Sequence, residues 1–201
     1  MLSARFRRTA NIFIVPIARL FAALGIAPNL LTLLGLLASV ATAFALAAKR
    51  LDIAFVLLLL TGFFDAIDGA VARLTQRVSN FGAFFDATLD RYADAAVIIG
   101  IALYLESHYL LAFLALVGSF MVSYTRARAE LFIPRCDVGL GERAERLIII
   151  IFALAASLAG FVEAERALYY ALVLVALLSH STALERIFYT YAFMKGGKQK
   201  K

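Results

Sequence analysis

Asp65–Asp90 reads DAIDGAVARLTQRVSNFGAFFDATLD, which sets four aspartates and two arginines inside a chain whose 201 residues are 63% hydrophobic. Soluble domains hold roughly 45–50% apolar residues, so the setting of these acids is lipid rather than water. Runs such as Asn29–Ala48, Ile53–Phe64 and Leu147–Phe161 are almost entirely Leu, Ile, Ala, Val and Phe. Only helices and closed barrels can cross a bilayer, and no segment alternates as a barrel strand would. The chain is expected to be an all-α integral membrane protein, in which a helix needs about 20 residues to cross.

Residues three or four apart share a helical face, which pairs Asp65 with Asp68 and Asp86 with Asp90. Four ionised carboxylates at membrane depth would cost on the order of 10 kcal/mol, at roughly 2.5–3.5 kcal/mol each. That equals the whole stability of an ordinary domain, so something must neutralise them. Pairing with Arg73, Arg77 and Arg91 is one solution. The other is a hard divalent cation, Mg²⁺ or Mn²⁺, since the donors are all oxygen and no His or Cys stands near enough to favour zinc. Gly69, Ala70, Ala72, Gly82 and Ala83 leave room beside the acids for a bulky ligand or a close helix.

Outward from this stretch, breaks at Pro28, Lys49–Asp52, Thr75–Phe81, Glu106–His108, Pro134–Glu142 and Glu163–Arg166 separate six spans. They are expected near 29–48, 52–75, 82–105, 109–130, 143–162 and 166–190, within a single domain covering 1–201. Residues 1–25 mix Arg5, Arg7, Arg8 and Arg19 with apolar residues and predict an amphipathic surface helix rather than a cleavable signal peptide. In this arrangement all of the 20 Lys and Arg residues except Lys49, Arg50 and Arg166 fall on one side. The positive-inside rule puts that side, both termini and the acids in the cytoplasm of a multi-pass cell-membrane protein. The net charge of +6 suits an anionic leaflet and phosphate-bearing substrates, not nucleic acid. Cys136, the single cysteine, is expected to be an incidental loop residue.

Asp65, Asp68, Gly69, Ala72, Arg73, Gly82, Asp86 and Asp90 spell D-x2-D-G-x2-A-R-x8-G-x3-D-x3-D, which resembles the signature of the CDP-alcohol phosphotransferase family. The resemblance extends to the N-terminal surface helix, to PNLLT at Pro28–Thr32 and to the six spans. It implies a six-helix membrane enzyme, usually homodimeric, that passes a substituted phosphoryl group from a CDP-linked donor to an alcohol and releases CMP. Two Mg²⁺ or Mn²⁺ ions held by Asp65, Asp68, Asp86 and Asp90 would offset charge on the pyrophosphate. The family's general base falls on Asp90. Donor binding falls on Asp68, Gly69, Ala72, Arg73 and Gly82, with Asn29 and Thr32 at the nucleotide end, where a plain helix cap is the alternative role.

Acceptor choice must come from residues outside the signature. Arg126 and Arg128 close the fourth span, Arg143 and Arg146 open the fifth, and Arg186 stands in an apolar stretch of the sixth. Guanidinium groups bind phosphate oxygens in a fixed fork, so these residues form a candidate pocket for a phosphorylated acceptor. Positive-inside anchoring, with Glu130, Glu142 and Glu145 as surface partners, is the competing role. The stretches resemble the branch that makes phosphatidylinositol phosphate, or its archaeal ether-lipid counterpart, from inositol 1-phosphate. In that branch the positions of Arg126, Arg146 and Arg186 are associated with the acceptor's phosphate. The expected donor is CDP-diacylglycerol or CDP-archaeol. Glycerol 3-phosphate, serine, free inositol and a CDP-inositol donor remain alternatives within the family, and a hydrolase or a divalent-cation transporter outside it. Transport is disfavoured because all four acids lie toward one face.

Overall fold

The computed structural model describes residues 14–197, so residues 1–13 of the expected surface helix, and the last four lysine-rich positions, lie outside the described residues. Helices are the only regular elements among the described residues: α1 (Ile14–Ala23), α2 (Pro28–Ala47), α3 (Leu51–Leu74), α4 (Asn80–Leu105), α5 (Tyr109–Ala129), α6 (Arg143–Leu158) and α7 (Ala164–Gly197). Four of them, α2, α3, α5 and α7, are long and apolar enough to cross a membrane. α4 has the length, at 26 residues, but Asp86, Asp90, Arg91 and Asp94 are spread from its first turns to its middle. α1 turns Ile14, Ala18, Phe21 and Ala22 inward onto Leu31, Ile67 and Val71 of α2 and α3, the i, i+4, i+7, i+8 spacing of one helical face. Its outer face, with Ile17 and Leu20 exposed beside Arg19, is itself partly apolar.

α2 packs against both α3 and α4, α5 packs along α7, and α6 bridges α3 and α7. The apolar core fills the end away from the aspartates, where Leu46, Leu58, Ile101, Leu154, Leu168 and Leu172 are fully buried. Small residues set the spacing of these helices. A Cβ on Gly100 would stand 2.6 Å from Ala43 Cα, which places the α2 and α4 backbones in direct contact. One on Gly118 would stand 2.9 Å from Ser179 Cβ on α7. Buried hydroxyls donate back along their own helices, Ser39 to the Gly35 carbonyl (2.9 Å) and Ser119 to that of Ala115 (2.7 Å). In lipid these bonds satisfy groups that have no water to meet. At the end remote from the acids, Lys49 pairs with Glu106 (2.9 Å) and lies over the Tyr104 ring, tying two loops together.

Two helix ends differ from those expected. The expected span to residue 162 stops at Leu158, because Gly160 takes φ +77° and the Gly160 and Phe161 amides bond back to Ser157 and Ala156 (3.0 Å each). That is a glycine helix stop, with the residue after the cap in the left-handed region. α7 instead outruns its expected end at 190 and reaches Gly197. Its 34 residues span about 51 Å, against roughly 30 Å of bilayer hydrocarbon, so part of it projects.

Candidate active site

The turn at Thr75–Ser79 folds α3 back beside α4, and the Ser79 hydroxyl caps α4 by accepting from the Gly82 amide (3.0 Å). Asp65 lies nine residues before the end of α3 and Asp90 ten after the start of α4, so at about 1.5 Å per residue they reach similar depths. Carboxylate oxygens of Asp65, Asp86 and Asp90 all lie within 4.8 Å of one another. Both helices pack chiefly on α2, which leaves a gap between them that the acids fill. Asp68 stands apart from this trio. Its buried carboxylate accepts from the Thr32 hydroxyl (2.8 Å) and the Gly69 amide (2.5 Å).

The counter-ion to the acids is not Arg73 or Arg77. Arg143, at the start of α6, reaches Asp65 and Asp90 with Nη1 (2.7 Å to Asp90) and brings Nε within 3.5 Å of Asp94. Asp94 was missed by sequence reasoning, although it continues the i, i+4 row of Asp86 and Asp90 on α4. It is buried and bound by Arg146 Nη2 at 2.5 Å, while Arg146 Nη1 donates to the Gly141 carbonyl at 2.6 Å. Arg91 adds a contact to Asp90 at 3.3 Å. Asp65, Asp90 and Asp94 thus meet the three guanidinium groups of Arg91, Arg143 and Arg146, whereas among the described residues Asp68 and Asp86 pair with no arginine. Asp86 Oδ1 is buried with no hydrogen-bond partner. An unmatched anionic oxygen in an all-oxygen trio fits a hard divalent cation.

Two cavities adjoin the acids. One, of about 310 Å³, is lined by Asn29, Thr32, Asp68, Gly69, Ala72, Arg73 and Gly82, together with Arg77 and Asp86. All seven residues expected at the donor therefore share one cavity. A Cβ on Gly82 would stand 3.0 Å from Ser79 Oγ and 3.5 Å from Asn29 Oδ1, and one on Gly69 would press on the Arg73 guanidinium. The second, of about 370 Å³, is lined by Arg91, Arg126, Arg143, Arg146 and Arg186, with Glu130 and Glu142 among its walls. A small cleft bearing Asp65 and Asp90 shares Thr32 and Asp68 with the first cavity and Arg143 with the second.

The arginines divide by what holds them. Arg186 is 1% exposed and donates to the carbonyls of Val138 (3.0 Å) and Val122 (2.5 Å). Arg126 meets Glu130, Asp137 and Glu142 at 2.8–3.2 Å, the carboxylate partnership that competed with an acceptor role. Arg128, proposed from sequence for the same pocket, does not line it. It lies exposed over the Phe132 ring, beside a separate apolar groove between α5 and α7. The loop between α5 and α6 is pinned to α7 by the Gly141 amide on Thr182 Oγ1 (2.9 Å), and Cys136 is buried in it with Ala129 and Ile133.

The CDP-alcohol phosphatidyltransferase family model matches residues 25–184 of the chain. The chain is similar to the archaetidylinositol phosphate synthase of Pyrococcus horikoshii, 40% identical over 173 residues, which cover 86% of this chain and 87% of that one. It is also similar to crystal structures of the Mycobacterium tuberculosis phosphatidylinositol phosphate synthase. With CDP-DAG bound, that structure matches at a TM-score of 0.77 and 34% identity, covering 89% of this chain and 93% of that one. In complex with manganese and citrate it matches at 0.78 and 34%, covering 89% and 88%.

Proposed function

The chain belongs to the CDP-alcohol phosphatidyltransferase family, and from that premise we propose that it transfers the lipid-bearing phosphoryl group of CDP-diacylglycerol or CDP-archaeol to a hydroxyl of inositol 1-phosphate. It is a CDP-alcohol phosphotransferase with four helices long and apolar enough to cross a membrane. The observation that carries the finer reading is the pair of cavities meeting at one acid cluster. One is lined by the residues expected at a nucleotide, the other by five arginines. A hydrolase would need only the first.

Asp65, Asp68, Asp86 and Asp90 would hold two Mg²⁺ or Mn²⁺ ions. Bound there, the ions supply positive charge against the pyrophosphate and the leaving phosphate of CMP. The donor's pyrophosphate lies at the mouth of the first cavity, where Arg73 meets a phosphate and the small side chains at Gly69, Ala72 and Gly82 admit the nucleotide. In the second cavity Arg126, Arg146 and Arg186 hold the acceptor's phosphate, which fixes its hydroxyl toward the cleft. Asp90 accepts the hydroxyl proton as the oxygen attacks the lipid-bearing phosphorus. A new P–O bond forms, the bond to the CMP oxygen breaks, and CMP leaves with that electron pair.

Six crossings by α2 to α7, a cytoplasmic active site and termini, one catalytic domain over 1–201 and a homodimer complete the proposal. The charge asymmetry and the family resemblance support them. The test is CMP release by the purified enzyme with Mg²⁺ or Mn²⁺ and either CDP-lipid, with and without inositol 1-phosphate. The expected result is release that depends on inositol 1-phosphate. Acceptor-independent release would make the chain a hydrolase, and dependence on glycerol 3-phosphate would reassign the acceptor.

A further inference from the structure

Three buried or nearly buried arginines border the arginine-lined cavity, and they are anchored differently. Arg146 and Arg186 each donate to main-chain carbonyls, Arg146 to Gly141 and Arg186 to Val138 and Val122. Those bonds are made to the protein's own main chain, not to the acids of the site. Arg143 makes no such bond. Its guanidinium is held by Asp65 and Asp90, with Asp94 at 3.5 Å, and its Nε is buried without a hydrogen-bond partner. Asp65 and Asp90 are the same carboxylates that, with Asp86, lie within 4.8 Å of one another. Arg143 also lines the arginine-lined cavity.

We propose that Arg143 is a positioning residue that couples the two sites: it competes with the divalent cation for Asp65 and Asp90, and when released it joins Arg146 and Arg186 as an anion ligand of the second cavity. The inference rests on reading Asp65, Asp86 and Asp90 as cation ligands. A monovalent guanidinium spanning two carboxylates keeps the cluster tolerable without metal, since unpaired buried charges would be costly. A divalent cation brings twice the charge to the same oxygens and leaves Arg143 only its long contact to Asp94 at 3.5 Å. The nearest uncommitted place for its charge is the cavity it already lines, where a phosphate would take it up. Cation and phosphate then favour one another, and linkage makes that preference reciprocal.

The experiment measures Mn²⁺ affinity by electron paramagnetic resonance on the purified chain, with and without inorganic phosphate as the anion probe. Wild type is compared with Arg143→Gln, Arg143→Lys and Arg91→Gln. Wild type should bind Mn²⁺ about tenfold more tightly with saturating phosphate. Arg143→Gln should bind it about tenfold more tightly than wild type without phosphate, and phosphate should then add little. Arg143→Lys keeps the charge without the planar fork and should fall between the two, which preserves the test if the glutamine variant does not fold. Arg91→Gln removes an equal charge that contacts Asp90 alone, and should give the smaller gain. Equal Mn²⁺ affinity in wild type and Arg143→Gln, a gain no larger than that of Arg91→Gln, or phosphate coupling undiminished in Arg143→Gln would each overturn the proposal while leaving the cation site standing. Failure of wild type to bind Mn²⁺ differently from Asp86→Asn would overturn the cation site itself.

Discussion

Glu142 accepts from Arg126 at 3.2 Å and from Arg186 at 3.4 Å, so one carboxylate stands between two arginines proposed to hold the acceptor's phosphate. It is half-buried and lines the cavity with both. An incoming phosphate must displace it. Glu142→Gln is therefore expected to lower the acceptor KM about fivefold with kcat little changed, the equivalent of ~1 kcal/mol for a partly exposed ion pair. Steady-state kinetics against inositol 1-phosphate checks this, and a raised KM would mean that Glu142 orients the arginines rather than screening them.

Arg186 combines a binding role with a structural one. Arg186→Ala removes the donors of the Val122 and Val138 carbonyls and empties a fully buried site, so a loss of about 3 kcal/mol or more in stability is expected. Arg186→Lys keeps the charge, and should retain the fold while raising acceptor KM roughly tenfold through loss of the fork. Melting in detergent and kinetics on both variants separate the two effects. An unchanged acceptor KM in the lysine variant would remove Arg186 from the pocket.

Asp90→Asn should abolish turnover, by a factor of at least about 10² for loss of a general base, while some Mn²⁺ binding by Asp65 and Asp86 persists. The comparison to make is CMP release against Mn²⁺ affinity in one preparation. Chelation of divalent cations from wild type should stop CMP release, and added Mg²⁺ or Mn²⁺ should restore it.

Thr32 holds Asp68 at 2.8 Å on the wall of the first cavity. Thr32→Val keeps the shape and removes the donor, and should raise the KM for the CDP-lipid about fivefold to tenfold, as for ~1–1.5 kcal/mol of a lost hydrogen bond to a charged group. The acceptor KM should hold steady. A shift in the acceptor term alone would place Thr32 outside the donor site.

Gly100 and Gly62 offer a paired test of helix spacing. A methyl on Gly100 would collide with the Ala43 backbone, whereas one on Gly62 meets nothing within 4 Å. Gly100→Ala should cost about 1–3 kcal/mol, and Gly62→Ala should be neutral or slightly stabilising through helix propensity. Denaturation in mixed detergent micelles reads both, and equal midpoints would show that α2 and α4 can separate freely.

Hydropathy and turn residues delimit α2, α3 and α5 almost to the residue, because a bilayer accepts only long, self-satisfied helices. α6 and α7 depart from that pattern at their C-terminal ends, α6 stopping at Leu158 and α7 running on to Gly197. The end of α6 was legible in Gly160, a left-handed helix stop. The i, i+4 row on α4 also pointed to Asp94, which was overlooked because it lies outside the signature. Arg128 does not line the arginine-lined cavity, because proximity in sequence to Arg126 says nothing of the face it occupies. Two residues along a helix turn a side chain by about 200°.

By itself the sequence determined the helices, their apolar faces and the spacing of the acids along α3 and α4, since each of these is a periodic property of a local segment. Which cation would meet those acids was decided only by the tertiary structure. Asp65 and Arg143 lie 78 positions apart, and nothing local relates them. They meet because α6 packs against α3 while α3 and α4 both rest on α2, leaving a gap in which Arg143, brought in from α6, joins Arg91 of α4 against the acids.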